Sequence, residues 1–307
     1  MTSPFGPLVL IANPRAGRGR VDAALPEVER VLREAGLEYR IVRTTGPGHA
    51  TEAARGALLG GERFLVAVGG DGTVHEVVNG MIEDGKPAAP GAVLGVIAAG
   101  SGCDLVKSFG LPADVRQAAG HLTGDQVTTM DVGSVVCAGQ DKPRYFVNIA
   151  QAGLGAAVVA RTAGLTRAGR WLGGAKYAAG FWLTLPRFRP AAVRLDADGQ
   201  AYAWRAYNVV VANCRFYGGG MHISPNSDPC DSLLDVLVMT GPKSDSFTTL
   251  PKVYKGAHLP HRHIAELQAD RLRVDADAPF PVEADGEILG STPASFGIIP
   301  EAIKLKV

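Results

Sequence analysis

The 307-residue chain has no Cys-x-x-Cys pair, no marked charge of either sign and no long hydrophobic run. Its four cysteines, Cys103, Cys137, Cys214 and Cys230, are scattered. That argues against a zinc knuckle and a disulfide framework and fits a reducing compartment. A formal net charge of +1 gives no whole-molecule attraction to nucleic acid, so any anion must be held by a local device. No stretch approaches the ~18 apolar residues of a membrane span. The apolar run Leu8–Ala12 is too short for a secretory core and is followed at once by Pro14 and several arginines. The expectation is a cytoplasmic protein with no transmembrane segment, for which any membrane contact is a transient visit to the surface. Internal repeats and low-complexity segments are also absent. So is Gly-x-x-x-x-Gly-Lys-Ser/Thr, which excludes a P-loop of the Walker kind.

What remains is a globular composition, 46% hydrophobic and 20% charged, with enough length for one large domain or two ordinary ones. Residues 1–130 alternate short apolar runs (Leu8–Ala12, Tyr39–Arg43, Phe64–Val68, Val93–Ala98) with segments of helical periodicity (21–35, 51–59, 73–82). This alternation predicts βαβ units around a parallel sheet. The runs end in glycines or small residues, which puts a ligand at the carboxyl edge of the sheet. After Met130 the apolar stretches become strand-like: 132–137, 145–149, 193–196, 202–211, 233–239 and 272–274, with helices only at 171–185 and 247–255. Residues 131–291 therefore read as a mainly antiparallel β domain.

Three glycine-rich loops carry the chemistry. The first follows a buried strand: Gly69-Gly-Asp-Gly-Thr-Val-His-Glu76, continuing to Gly80. Glycines let backbone approach an anion closely, and the helix behind them offers unpaired N–H groups and the positive end of its dipole. Asp71 in that loop would repel bare phosphate, which calls for Mg²⁺ or water between them. A tight turn with Asp71 as a helix cap is the plainer reading. The second loop, Asn13-Pro-Arg-Ala-Gly-Arg-Gly-Arg20, adds charge suited to a polyphosphate. The third, Gly95 to Asp104, includes Ser101.

With these loops, the chain resembles the diacylglycerol kinase catalytic family, including the bacterial YegS-like and sphingosine-kinase-like lipid kinases. The resemblance continues through Tyr145–Ala150, Asn208–Gly220, Pro225–Asp235 and Glu283-Ala-Asp-Gly-Glu287, in order and spacing. It implies an ATP-binding α/β domain, residues 1–130 plus a returning tail of about 292–307, followed by a β-sandwich lipid domain. It implies ATP held by Asn13, Pro14, Arg15, Ala16, Gly17, Thr44 (Thr45 being an equal candidate), Gly70, Asp71, Gly72, Thr73, Val74, His75, Glu76 and Ser101. Glu287 matches the catalytic base that takes a proton from a lipid hydroxyl, with Asp285 beside it. Asp71 joins them as a catalytic candidate. Asp231, with the carbonyls of Asp228 and Leu233, matches a structural Mg²⁺ site. The implied activity is transfer of the γ-phosphate of ATP to a lipid alcohol of diacylglycerol or sphingoid type. NAD kinase, which shares the GGDGT site, and a non-catalytic nucleotide- or lipid-binding regulator stay open beside it, as does a homodimer.

The chain departs from the family at Cys103, where an amide side chain is usual, at Cys230 and Ser232 in the metal loop, and at His75. His75-Glu-x-x-Asn79 lacks the second histidine of a zinc protease, and Gly153-Leu-Gly155 is too short to define a dinucleotide site. His258, His261 and His263 read as a polar loop, with metal binding as the alternative. The aromatic and basic residues from Trp171 to Arg189 read as core packing, with membrane docking as the alternative.

Overall fold

The computed structural model describes residues 3–99, 103–165 and 175–307, with side chains described throughout these segments except at 163–165 and 175–178. The described chain forms two compact units, 1–132 with 299–307, and 133–298.

In the first unit the strand Leu8–Ala12 is fully buried, as expected of a parallel strand covered on both faces. It pairs in parallel with Tyr39–Arg43 on one side and Phe64–Gly69 on the other, and Phe64–Gly69 pairs in parallel with Val93–Ala98. Beyond Val93–Ala98, Lys304 and Leu305 of the last strand add a further parallel pairing. Val21, Leu25, Val28 and Leu32 recur at helical spacing in Arg20–Glu34 and bury one face against the sheet. Fully burying each such side chain is worth roughly 1.5–3 kcal/mol. Helices His49–Leu59 and Asp71–Met81 pack together through small residues. A Cβ on Gly80 would lie 2.5 Å from the Thr51 carbonyl and 2.7 Å from Ala54 Cβ, so only glycine allows this approach.

The second unit is a β-sandwich. One sheet runs Ile264–Ala269, Leu234–Met239, Asn208–Ala212, Ile149–Gly153, Pro281–Ala284, Glu287–Ser291, all antiparallel. The other includes Gln200–Ala206, Ala191–Ala197 and Arg271–Ala276, the last pairing with residues 294–297. Alternate residues such as Val193, Leu195, Val209, Val211, Val236 and Val282 meet in a shared apolar core.

Several details differ from the sequence reading. The run 202–211 is not one strand: it breaks at Tyr207, whose N–H bonds to the Met239 carbonyl, and the chain crosses there between sheets. The helix Leu154–Leu165 was not foreseen, because its glycine- and alanine-rich start carries no capping signal. The segment expected as helix at 171–185 is helical over Ala175–Thr184, and Trp171 lies outside the described residues.

His258 and His222 are tucked into this unit. Burial holds both imidazoles below their ordinary value. His258 Nε2 meets the Ile223 carbonyl at 3.0 Å, while His258 Nδ1 and His222 Nε2 are buried with no hydrogen-bond partner among the described residues. A proton arriving there has nothing to bond. With folded values depressed, the unfolded chain binds protons first. The contribution is therefore complete above about pH 6.5 and is lost as pH falls below it. Urea unfolding should show stability dropping from about pH 7.5 to about pH 5.5, with a shallower drop in His258→Gln. An unchanged slope in that variant would remove His258 as a cause.

Candidate active site

Three backbone hydrogen bonds knit the loops of the first unit along one sheet edge. Thr44 N donates to the Ala12 carbonyl at 2.8 Å, Asn13 N to Val68 at 3.1 Å, and Ala99 N to Gly69 at 3.0 Å. The expected residues Asn13–Gly17, Thr44 and Gly70–Glu76 are thus neighbours in space at the carboxyl ends of adjacent strands. Ser101 lies outside the described residues.

The second loop is shaped by its own polar groups. Asn13 Oδ1 accepts from Arg15 N at 3.1 Å, and the Asn13 carbonyl accepts from Ala16 N at 3.0 Å. Gly17 and Gly19 both take positive φ, 58° and 87°, where glycine is unstrained. Arg15, Arg18 and Arg20 are exposed. At the strand next door, the Thr45 hydroxyl is engaged with His49 Nδ1 at 3.2 Å, which favours Thr44 of the two candidates.

The helix Asp71–Met81 starts without a side-chain cap, its N-cap residue being Gly70. Gly72 is exposed, and a Cβ built on it would meet nothing within 4 Å. Thr73 Oγ1 is buried without a hydrogen-bond partner among the described residues. An uncapped helix start, an open glycine and an orphaned hydroxyl fit an anionic group. Gly69 is obligatory beneath them, since a Cβ there would stand 2.3 Å from Thr73 Oγ1.

The acidic residues of this loop have structural partners. Asp71 does not cap its own helix: its Oδ1 accepts from Asp104 N at 2.7 Å, closing the first turn of the neighbouring helix Asp104–Ser108. Cys103 is buried beside it. Burial first, then the Asp71 charge, pushes the thiol well up, so it stays protonated against that carboxylate. Glu76 Oε2 accepts from Ala50 N at 3.0 Å, at the start of helix His49–Leu59. Val74 and His75 are buried, and His75 Nε2 lies 3.4 Å from Asn79 Nδ2. These two side chains face the interior, and the Val74 N–H is donated to the Gly70 carbonyl at 3.2 Å.

In the second unit the late Asp-Gly-Glu motif is a tight turn between strands Pro281–Ala284 and Glu287–Ser291. Asp285 sits at φ 47° and its carboxylate accepts three backbone N–H groups, from Val147 (2.7 Å), Asn148 (3.0 Å) and Ile149 (3.2 Å). That engagement ties the Asp285 carboxylate to the backbone of residues 147–149 and holds the turn. Glu287 Oε2 is held by Arg144, through Nη2 at 2.7 Å and Nε at 3.2 Å. Behind the turn runs a buried polar chain. Gly286 N and Gln151 Nε2 each donate to Glu283 at 2.8 Å, Asn208 Nδ2 donates to Gln151 at 3.0 Å, and Gly155 N donates to Asn208 at 2.9 Å. Sequence reasoning missed Arg144, Gln151 and Glu283 as parts of the site. Only a glutamate two residues before Asp285 hinted at the last.

The loop expected to hold a structural Mg²⁺ does not fit one. Asp231 Oδ1 accepts from Leu233 N at 3.0 Å, Asp228 Oδ1 accepts from Cys230 N at 3.1 Å, and both side chains are exposed. Two carboxylates that each hold a backbone N–H of their own turn, with Ser232 at φ 66° where glycine would be unstrained, offer Mg²⁺ few converging oxygens. No role is drawn from a metal there.

A family model described as the diacylglycerol kinase catalytic domain matches residues 7–135. A model described as the YegS C-terminal NAD kinase beta sandwich-like domain matches residues 148–307. A diacylglycerol kinase of Bacillus subtilis (strain 168) is 29% identical over 295 residues, 94% of this chain and 91% of its own length. A diacylglycerol kinase of Mycobacterium tuberculosis (strain ATCC 25618 / H37Rv) is 31% identical, with 98% and 95% covered. In the fold, the crystal structure of a diacylglycerol kinase from Bacillus anthracis str. Sterne aligns with a TM-score of 0.74 at 23% identity, over 99% of this chain and 97% of that one. An α/β catalytic domain followed by this sandwich defines the class, a lipid kinase. The chain belongs to the diacylglycerol kinase family.

Proposed function

We propose that the chain transfers the γ-phosphate of ATP to the hydroxyl of a membrane lipid of diacylglycerol or sphingoid type. The observation that carries this reading is the set of knitted loops at one sheet edge, with an uncapped helix start, an open Gly72 and an unpartnered Thr73 hydroxyl. In this reading the nucleotide belongs to residues 1–132 with the returning tail, and the lipid to the sandwich unit. Asn13 to Gly17, Thr44 and Gly70 to Thr73 hold the phosphates, Val74 and His75 back the loop from the interior, and Ser101 adds a hydroxyl. Asp71 and Glu76 keep their neighbouring helices in register, which positions the loops. Mg²⁺ bound with the triphosphate held by these loops would supply charge neutralisation on the phosphates. Glu287 accepts the proton of the lipid hydroxyl, steered by Arg144, while Asp285 and Glu283 fix its turn.

A membrane source for the acceptor is supported by one surface of the sandwich unit. Trp182, Leu183, Phe247 and Tyr254 are large exposed apolar residues, and Trp182 stacks on Phe247 with ring centroids 4.6 Å apart. Exposed Arg187, Arg189, Lys252 and Lys255 accompany them, and neither 175–195 nor 246–265 contains an acidic residue. Aromatics with cations suit an anionic lipid interface. Among the described residues no helix is long and apolar enough to cross a membrane.

The test is incubation with Mg-ATP and either NAD or vesicles carrying diacylglycerol, a sphingoid base or ceramide. Phosphorylation of one lipid alcohol and none of NAD is expected. Phosphorylation of NAD alone, or nucleotide binding with no turnover on any lipid, would overturn the reading.

A further inference from the structure

We propose that Asp245, His261 and His263, in the sandwich unit, bind a divalent first-row transition ion of the zinc class. One ligand atom from each residue lies within 4.8 Å of the other two, and all three residues are half-buried. Imidazole nitrogens and carboxylate oxygens bind zinc at about 2.0–2.2 Å, which puts ligands roughly 3.4 Å apart in a tetrahedron. Small side-chain rotations close that difference. Imidazole donors suit zinc, nickel, copper and cobalt rather than magnesium or calcium. This set is therefore distinct in chemistry from the oxygen-only loop at 228–233.

The backbone around the cluster is already fixed. Ile264 N donates to the His261 carbonyl at 3.0 Å, and Thr240 donates to the His263 carbonyl twice, from N at 3.0 Å and from Oγ1 at 3.1 Å. His261 Nδ1 accepts from His263 N at 3.2 Å, which holds that ring against the turn. Gly241 makes room: a Cβ on it would stand 2.6 Å from His263 Cβ and 2.7 Å from Asp245 Oδ2.

Asp245 ends the 3-10 turn Lys243–Asp245, which runs straight on into helix Ser246–Val253, and its helical backbone leaves the carboxylate no capping role. Its side chain reaches His263 Nδ1, at 2.6 Å. A contact that short between nitrogen and carboxylate oxygen is bridged by a proton. An ion entering the cluster replaces that proton, which passes to the buffer. The bound ion would clamp the start of the helix carrying Phe247 to the turn that carries both histidines.

The full chain, stripped with chelator, is titrated with zinc chloride by calorimetry and with cobalt chloride by visible absorption. One equivalent of zinc, a cobalt d–d band and a zinc-dependent rise in melting temperature are expected. His261→Ala and His263→Ala should each weaken binding by about ten- to a hundredfold or more. Asp245→Asn, which keeps the side-chain shape, covers the case of a histidine variant that does not fold. Magnesium chloride should not compete. Unsaturable zinc uptake by the wild type, equal affinity in the variants that fold, or displacement of cobalt by magnesium would each overturn the site.

Discussion

Glu287→Gln is expected to lower the rate of lipid phosphorylation by about 10²–10⁴-fold, the usual contribution of a positioned general base. The amide keeps the size of the carboxylate but cannot take up a proton. The fold should tolerate it, because the Arg144–Glu287 pair has side chains 42% and 38% exposed. Exposed pairs of this kind contribute about 1 kcal/mol or less. ATP affinity should stay unchanged, since the phosphate loops belong to the other compact unit. The loss should appear in kcat at saturating lipid, with the melting temperature nearly constant. Wild-type turnover in the glutamine variant would remove Glu287 as the base and leave the glycine loops untouched.

Asp285→Ala is the second large effect, and it should be one of stability. Three backbone N–H groups lose their acceptor at once. Hydrogen bonds to a charged group are worth about 1.5–3 kcal/mol each, and they are not additive within one cluster. Alanine must also hold φ 47°, which costs a further ~1 kcal/mol. A total loss of roughly 3–5 kcal/mol by denaturant unfolding is expected, together with loss of activity. Asp285→Asn should lose less, because it keeps an acceptor oxygen and tolerates this backbone conformation. Equal stability for the alanine variant and the wild type would show that the turn does not depend on this carboxylate.

Much of the first unit was legible because its strands are short, apolar and followed by glycine or by other small or turn-forming residues. The buried runs 8–12, 64–68 and 93–98 carry that signature, and each lies in a strand at the sheet edge where the loops converge. The sandwich was legible in kind rather than in detail. Nothing in the apolar run around Tyr207 signals a change of sheet, and the mixed pattern of Ala294–Lys306, with Pro300 inside it, conceals a 13-residue strand. The chemistry divided in the same way. The glycine loops at the ends of the strands stand out by their spacing alone. The roles of Asp71, Glu76 and Asp285 depend on partners 26 to 138 residues away along the chain. Arg144 belongs to an unremarkable three-residue strand and became visible only through its contact with Glu287.

The carboxylate of Asp71 completes a helix to which it does not belong. The glycine turn and the segment beginning at Cys103 therefore cannot loosen independently: opening either one uncovers the amide of Asp104. Exchange of that single amide with solvent would be a gauge of the whole loop system, slowing when the turn is filled and quickening when Asp71 is removed.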